Sequence, residues 1–95
     1  MHFIIFQMPA SLWHKEHVFF TSETPVRLED YSAVWQDTLP DAPNRDDDRA
    51  LSLIFEKFNV NHPRNYAGRS LSAGDIVKLN ESYYLCCSLG WHKIR

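Results

Sequence analysis

Ninety-five residues, 44% hydrophobic, 14% aromatic and 23% charged, suffice for one folded domain and argue against disorder or low complexity. No apolar run approaches the roughly 20 residues that span a bilayer, and the only cysteines, Cys86 and Cys87, are adjacent, which excludes a disulfide framework. The formal charge of −2 conceals an asymmetry: residues 1–60 carry ten acids and five bases, residues 61–95 two acids and five bases.

The chain opens on Phe3-Ile4-Ile5-Phe6-Gln7, an aromatic and β-branched run that ends at Pro9 and predicts a first strand. It lacks the basic region and small-residue cleavage site of a signal peptide. Residues 10–16 read as a loop or a turn of helix. His17-Val18-Phe19-Phe20-Thr21 predicts a second strand, closed by Ser22 to Pro25 and expected to pair with the first. A third strand is expected over Tyr31 to Gln36, with Tyr31, Ala33 and Trp35 sharing one face. Pro40 to Arg45 reads as a loop.

The clearest helix follows. Leu51, Ile54, Phe55 and Phe58 recur at i, i+3, i+4 and i+7, one apolar stripe on a 3.6-residue period. Asp46, Asp47 and Asp48 stand at its start, where carboxylates cap free N–H groups and meet the positive end of the helix dipole. Asn59, Asn61 and Pro63 supply the stop. Beyond it, Gly68 and Gly74 bracket Arg69 to Ala73, and Asp75 to Leu79 alternates as a strand. Asn80-Glu81-Ser82 is a turn, and Tyr83 to Ser88 returns as the second arm of a hairpin. Gly90 breaks that arm before a last strand, Trp91 to Ile94. The expected class is α+β, a single domain over residues 1–95 in the order β-β-β-α-β-β-β. A small bent antiparallel sheet or partly open barrel would pack on the one helix.

The stretch from the helix onward carries a resemblance. Ile54-Phe55-Glu56-Lys57-Phe58-Asn59 leads into His62-Pro63, then Gly68-Arg69-Ser70-Leu71-Ser72-Ala73-Gly74-Asp75-Ile76-Val77, and finally Tyr83-Tyr84-Leu85-Cys86-Cys87-Ser88-Leu89-Gly90-Trp91. In this order and spacing the segments resemble the YodL-like domain, best over residues 47–94. The resemblance implies a small module carried on bacterial mobile elements and phages, and it implies no catalytic residues. By analogy, a free-standing module of that origin fits an inhibitor of host defence, of the antirestriction or anti-CRISPR kind.

Several constellations invite a chemical reading. The loop from Gly68 to Asp75 has N–H groups, two hydroxyls and Arg69 that could hold a phosphate or carboxylate. A structural role, with glycines in tight turns and Ser and Asp bonded to nearby backbone, is the stronger reading. The aspartate run could act as a decoy for phosphates, although capping accounts for it, and its spacing is not that of a calcium loop. His14 and His17, three apart, lack a third ligand for a metal. Cys87 with His62 or His92 is a weak nucleophile–base candidate, because cysteines on aromatic strands are usually buried and inert.

Arg64, Arg69, Lys78, Lys93 and Arg95, with Tyr66, Tyr83, Tyr84 and Trp91, could together form a basic, aromatic surface for single-stranded nucleic acid. Arginine and exposed aromatics are also the residues of protein-binding hot spots. The sequence therefore predicts a non-enzymatic, cytoplasmic module without cofactor, metal or membrane contact. Its expected partner is a bacterial protein, conceivably a defence effector, met through Arg64, Tyr66, Arg69, Trp91 and Asp46 to Asp48. Nucleic acid is the alternative partner.

Overall fold

In the computed structural model of the chain, which describes residues 1–9, 26–39, 46–60, 62–66 and 68–95, the opening apolar run forms β1 (His2–Gln7). Its alternation sends Phe3 and Ile5 to one face, where they are buried, and Ile4 and Phe6 to the other, where they are half-buried. A strand with apolar residues on both faces belongs inside a sheet, and β1 lies between β2 (Ser32–Thr38) and β3 (Ile76–Leu79). β4 (Ser82–Cys87) and β5 (Gly90–Lys93) complete the order β2-β1-β3-β4-β5, with every neighbour antiparallel.

The helix α1 (Asp47–Val60) packs on the Phe3 and Ile5 face through Ala50, Leu51, Ile54 and Phe58. Phe3, Ile5, Leu51, Ile54 and Phe58 are each exposed by 1% or less, and full burial of such a side chain contributes about 1.5–3 kcal/mol. The ring of Phe58 meets Phe3 edge-on at 6.0 Å and Tyr66 at 4.9 Å, and lies 6.2 Å from Trp35. Asp46 caps the helix by accepting the Arg49 N–H at 3.2 Å. The opposite face of the sheet carries a second cluster, Met8, Tyr31, Ile76 and Leu85, flanked by Val26 and Leu28 from around a 3-10 turn at Leu28–Asp30.

The α+β class is therefore observed, and the described residues form an open five-stranded antiparallel sheet with one helix, of the two expected forms the sheet and not the partly open barrel. The described elements run β-β-α-β-β-β, one strand fewer than expected, and the strand expected at His17–Thr21 lies outside the described residues. β1 pairs with β2 over His2–Gln7 and with β3 over Phe3–Phe6. It thus pairs both with the next described strand and with β3, some 70 residues away.

The expected common face of Tyr31, Ala33 and Trp35 is also corrected. Ile5 pairs with Trp35 and Phe6 with Ala33, so Val34 is an extra residue in the ladder, a bulge. That single insertion reverses the alternation: Trp35 joins the helix-side core, whereas Tyr31 joins the opposite cluster. Phe55 likewise leaves the expected core stripe and remains 38% exposed, with Ala50 buried instead.

The two hairpins follow their turn chemistry. Asn80 takes a φ of +54°, a left-handed conformation that asparagine tolerates. It is fixed to β1, since its N–H donates to the His2 carbonyl at 2.8 Å and its Oδ1 accepts the His2 N–H at 3.1 Å. Gly90, at φ +94°, closes the Ser88-Leu89 turn and opens β5 rather than interrupting a strand.

Candidate functional site

The loop from Gly68 to Asp75 folds around two buried polar side chains, Gln7 and Asp75, exposed by 3% and 0%. Leu71, also buried, anchors its middle in the core. Gln7, at the end of β1, uses its whole amide. Its Nε2 donates to the Arg69 carbonyl at 2.9 Å and to Asp75 Oδ2 at 3.0 Å, and its Oε1 accepts the Arg69 N–H at 2.9 Å. Asp75 Oδ2 also accepts the Ser72 N–H at 3.0 Å, and Oδ1 receives Arg69 Nη2 at 3.3 Å. Arg69 Nη1 donates to the Met8 carbonyl at 2.9 Å.

Two tyrosines close this knot. Tyr66 donates its hydroxyl to the Arg69 carbonyl and Tyr31 to the Gly74 carbonyl, both at 2.6 Å. Burial, with Asp75 nearby, pushes the Tyr66 hydroxyl up to about 12 and raises that of Tyr31. Burial also lifts the Asp75 carboxyl to about 6, against the pull of the Ser72 N–H, Gln7 and Arg69. A Cβ at Gly68 would come within 2.5 Å of the Tyr66 hydroxyl and 2.8 Å of Gln7 Oε1, so only glycine fits there. The loop does bind an anion, and that anion is the chain's own Asp75.

The outer surface is built elsewhere, between α1 and β5. Phe55 and Trp91 meet edge-on at 6.4 Å, and with Ser52, Cys86, Cys87, Ser88 and Gly90 they line a cleft of about 340 Å³. β5 is an edge strand among the described residues, and its Gly90 and Trp91 line this cleft. Asp47 joins the helix start to the neighbouring strand by accepting the Tyr84 hydroxyl at 2.6 Å, a bond to a carboxylate that lifts the hydroxyl to about 12.

The residues singled out from the sequence are thus divided. Tyr66 is buried, and Arg69, its side chain 34% exposed, is held by Asp75 and the Met8 carbonyl. Arg64, Asp46 and Asp48 are exposed, Asp47 is half-buried, and Trp91 is half-buried on one wall of the cleft. Lys78 and Arg95 stack on Tyr83, 5.5 Å and 5.8 Å from its ring centre, with Phe6 against the same ring. Burial raises both thiols, Cys86 to about 12. His62 is turned to the Pro63 carbonyl, 2.9 Å away, and His14 and His17 lie outside the described residues. Among the described residues no cluster of three or more His, Cys, Asp or Glu is placed to hold a metal, and no helix is long and apolar enough to cross a membrane.

Read from the sequence, Gln7 had no role beyond the first strand and Phe55 belonged to the core stripe. The signal for Gln7 was an amide inside an otherwise apolar strand, where a buried polar group must find partners.

A family model for the YodL-like domain matches residues 7–95. The chain belongs to the YodL-like domain family. The match begins at Gln7, so it takes in the residue that clasps the Gly68–Asp75 loop as well as the helix and hairpins of this YodL-like domain. Neither curated proteins nor solved structures give a match.

Proposed function

We propose that this YodL-like domain is a non-enzymatic protein-binding module that acts by covering part of a bacterial protein. The observation that carries the reading is the position of β5, outermost in the sheet among the described residues, with Trp91 on the wall of the Phe55 and Trp91 cleft. An extended segment of a partner can add to such an edge through main-chain hydrogen bonds and seat an apolar side chain against the aromatic pair. Asp46 and Asp48 at the helix start and Lys93 on β5 are exposed charges that would add specificity more than affinity to such a contact. Carriage on a mobile element or phage, and a defence effector as the target in the bacterial cytoplasm, complete the proposal.

The test is a tagged pull-down from bacterial lysate with and without nuclease, repeated with the double variant Phe55→Ala, Trp91→Ala. The expected result is one stoichiometric protein that survives nuclease and is lost with the variant, circular dichroism showing the variant folded. Retention at the wild-type level would overturn the cleft as the binding surface.

The nucleic-acid reading rests on Lys78 and Arg95 around Tyr83. It requires binding to single-stranded DNA that weakens steeply with salt, as counterion release dictates. The ring of Tyr83 is already in contact with two cations and Phe6, which leaves less of it for base stacking and favours the protein-binding reading.

A further inference from the structure

The flank of α1 turned away from Trp91 has a pattern of its own. Leu53 is 47% exposed and Val60 79%, and with Leu39, Glu56 and Lys57 they line a shallow depression of about 390 Å³. Positions 53, 56, 57 and 60 stand at i, i+3, i+4 and i+7, so they form one stripe along the helix. Its ends are apolar and its centre is an acid beside a base. Neither Glu56 nor Lys57 forms an ion pair among the described residues. The stripe is symmetric about the point between them: Leu53 lies as far before it as Val60 lies after it.

We propose that this stripe is a self-association surface that joins two copies of the chain, helix against antiparallel helix, about a twofold axis between Glu56 and Lys57. That operation sets Leu53 of each copy against Val60 of the other, and Glu56 of each against Lys57 of the other. All four contacts form at once because an isologous interface must be complementary to itself. A uniformly acidic or basic partner would meet a like charge at the centre. A lipid surface would call for a basic rim, which Glu56 interrupts. Leu39, at the end of β2, extends the apolar margin. One pair of helices about 21 Å long buries less than the roughly 1,200–2,000 Å² of stable complexes. The dimer is accordingly weak, with dissociation on the order of 10–500 μM.

Sedimentation velocity of the purified chain from about 1 μM to 1 mM tests this. The expected result is a reversible shift from monomer towards dimer across that range. Lys57→Glu and Glu56→Lys, each at an exposed position, bring like charges together twice per dimer and should weaken association at least about tenfold. The double variant Glu56→Lys, Lys57→Glu restores opposite charges in mirrored order and should return it to within about threefold of wild type. A chain that stays monomeric at 1 mM overturns the proposal. Dimerisation indifferent to the single reversals, or not restored by the double one in folded protein, overturns it equally.

Discussion

Gln7→Ala is the sharpest perturbation of the buried knot. The substitution removes three hydrogen bonds, two donated by Nε2 and one accepted by Oε1, all between 2.9 and 3.0 Å. The partners are affected unequally. The Arg69 carbonyl keeps the Tyr66 hydroxyl, and Asp75 Oδ2 keeps the Ser72 N–H. The Arg69 N–H loses its bond to Oε1. At about 1 kcal/mol for each of the three lost bonds, the loss amounts to about 3 kcal/mol. That is a large part of the roughly 5–15 kcal/mol that holds a domain together. Urea denaturation followed by tryptophan fluorescence should show the midpoint falling by about 2 M if the slope is near 1.5 kcal/mol/M. The exposed Gln36 on β2 is the control, and Gln36→Ala should change stability by less than about 0.5 kcal/mol. A Gln7→Ala midpoint within about 0.3 M of wild type would refute the claim that this amide organises the loop.

Three further outcomes follow from the same contacts. Asp75 has a folded pKa of about 6, raised above its ordinary value of 3.8. Its contribution is therefore fully present below about pH 4 and is lost as pH rises through about 6, by up to about 3 kcal/mol. Subtracting the stability–pH curve of Asp75→Asn from that of wild type should reveal this slope, and parallel curves would contradict the assignment. Gly68→Ala should destabilise by about 2–3 kcal/mol because its Cβ meets groups pinned by short bonds. Gly90→Ala, with open space but φ +94°, should cost about 1–2 kcal/mol, so thermal midpoints should rank wild type, Gly90→Ala, Gly68→Ala in falling order. Both thiols should react with a disulfide reagent at pH 8 far more slowly in the folded than in the unfolded chain, with buried Cys86 slower than half-buried Cys87. A stoichiometric burst from folded protein would point instead to an activated cysteine.

Whatever depends on one short stretch of chain was legible in the residues alone. The helix could be read because Leu51, Ile54 and Phe58 repeat with the period of its backbone, and Asp46 sits where a cap is needed. The hairpins of β3, β4 and β5 could be read because Asn80 and Gly90 suit left-handed turns. The motif order from Ile54 to Trp91 likewise pointed to the YodL-like family. Only the tertiary structure decided what depends on residues far apart. It set β1 between β2 and β3, and the Val34 bulge turned Tyr31 and Trp35 to opposite faces. It took Arg69 from a presumptive surface to the side of Asp75 and Met8, and moved Phe55 from the core to the wall of a cleft. The physical reason is the range of the forces involved. Backbone periodicity and turn geometry are settled within a few residues, whereas strand order and the partners of a buried charge are settled by burial among segments some 60 to 70 positions apart.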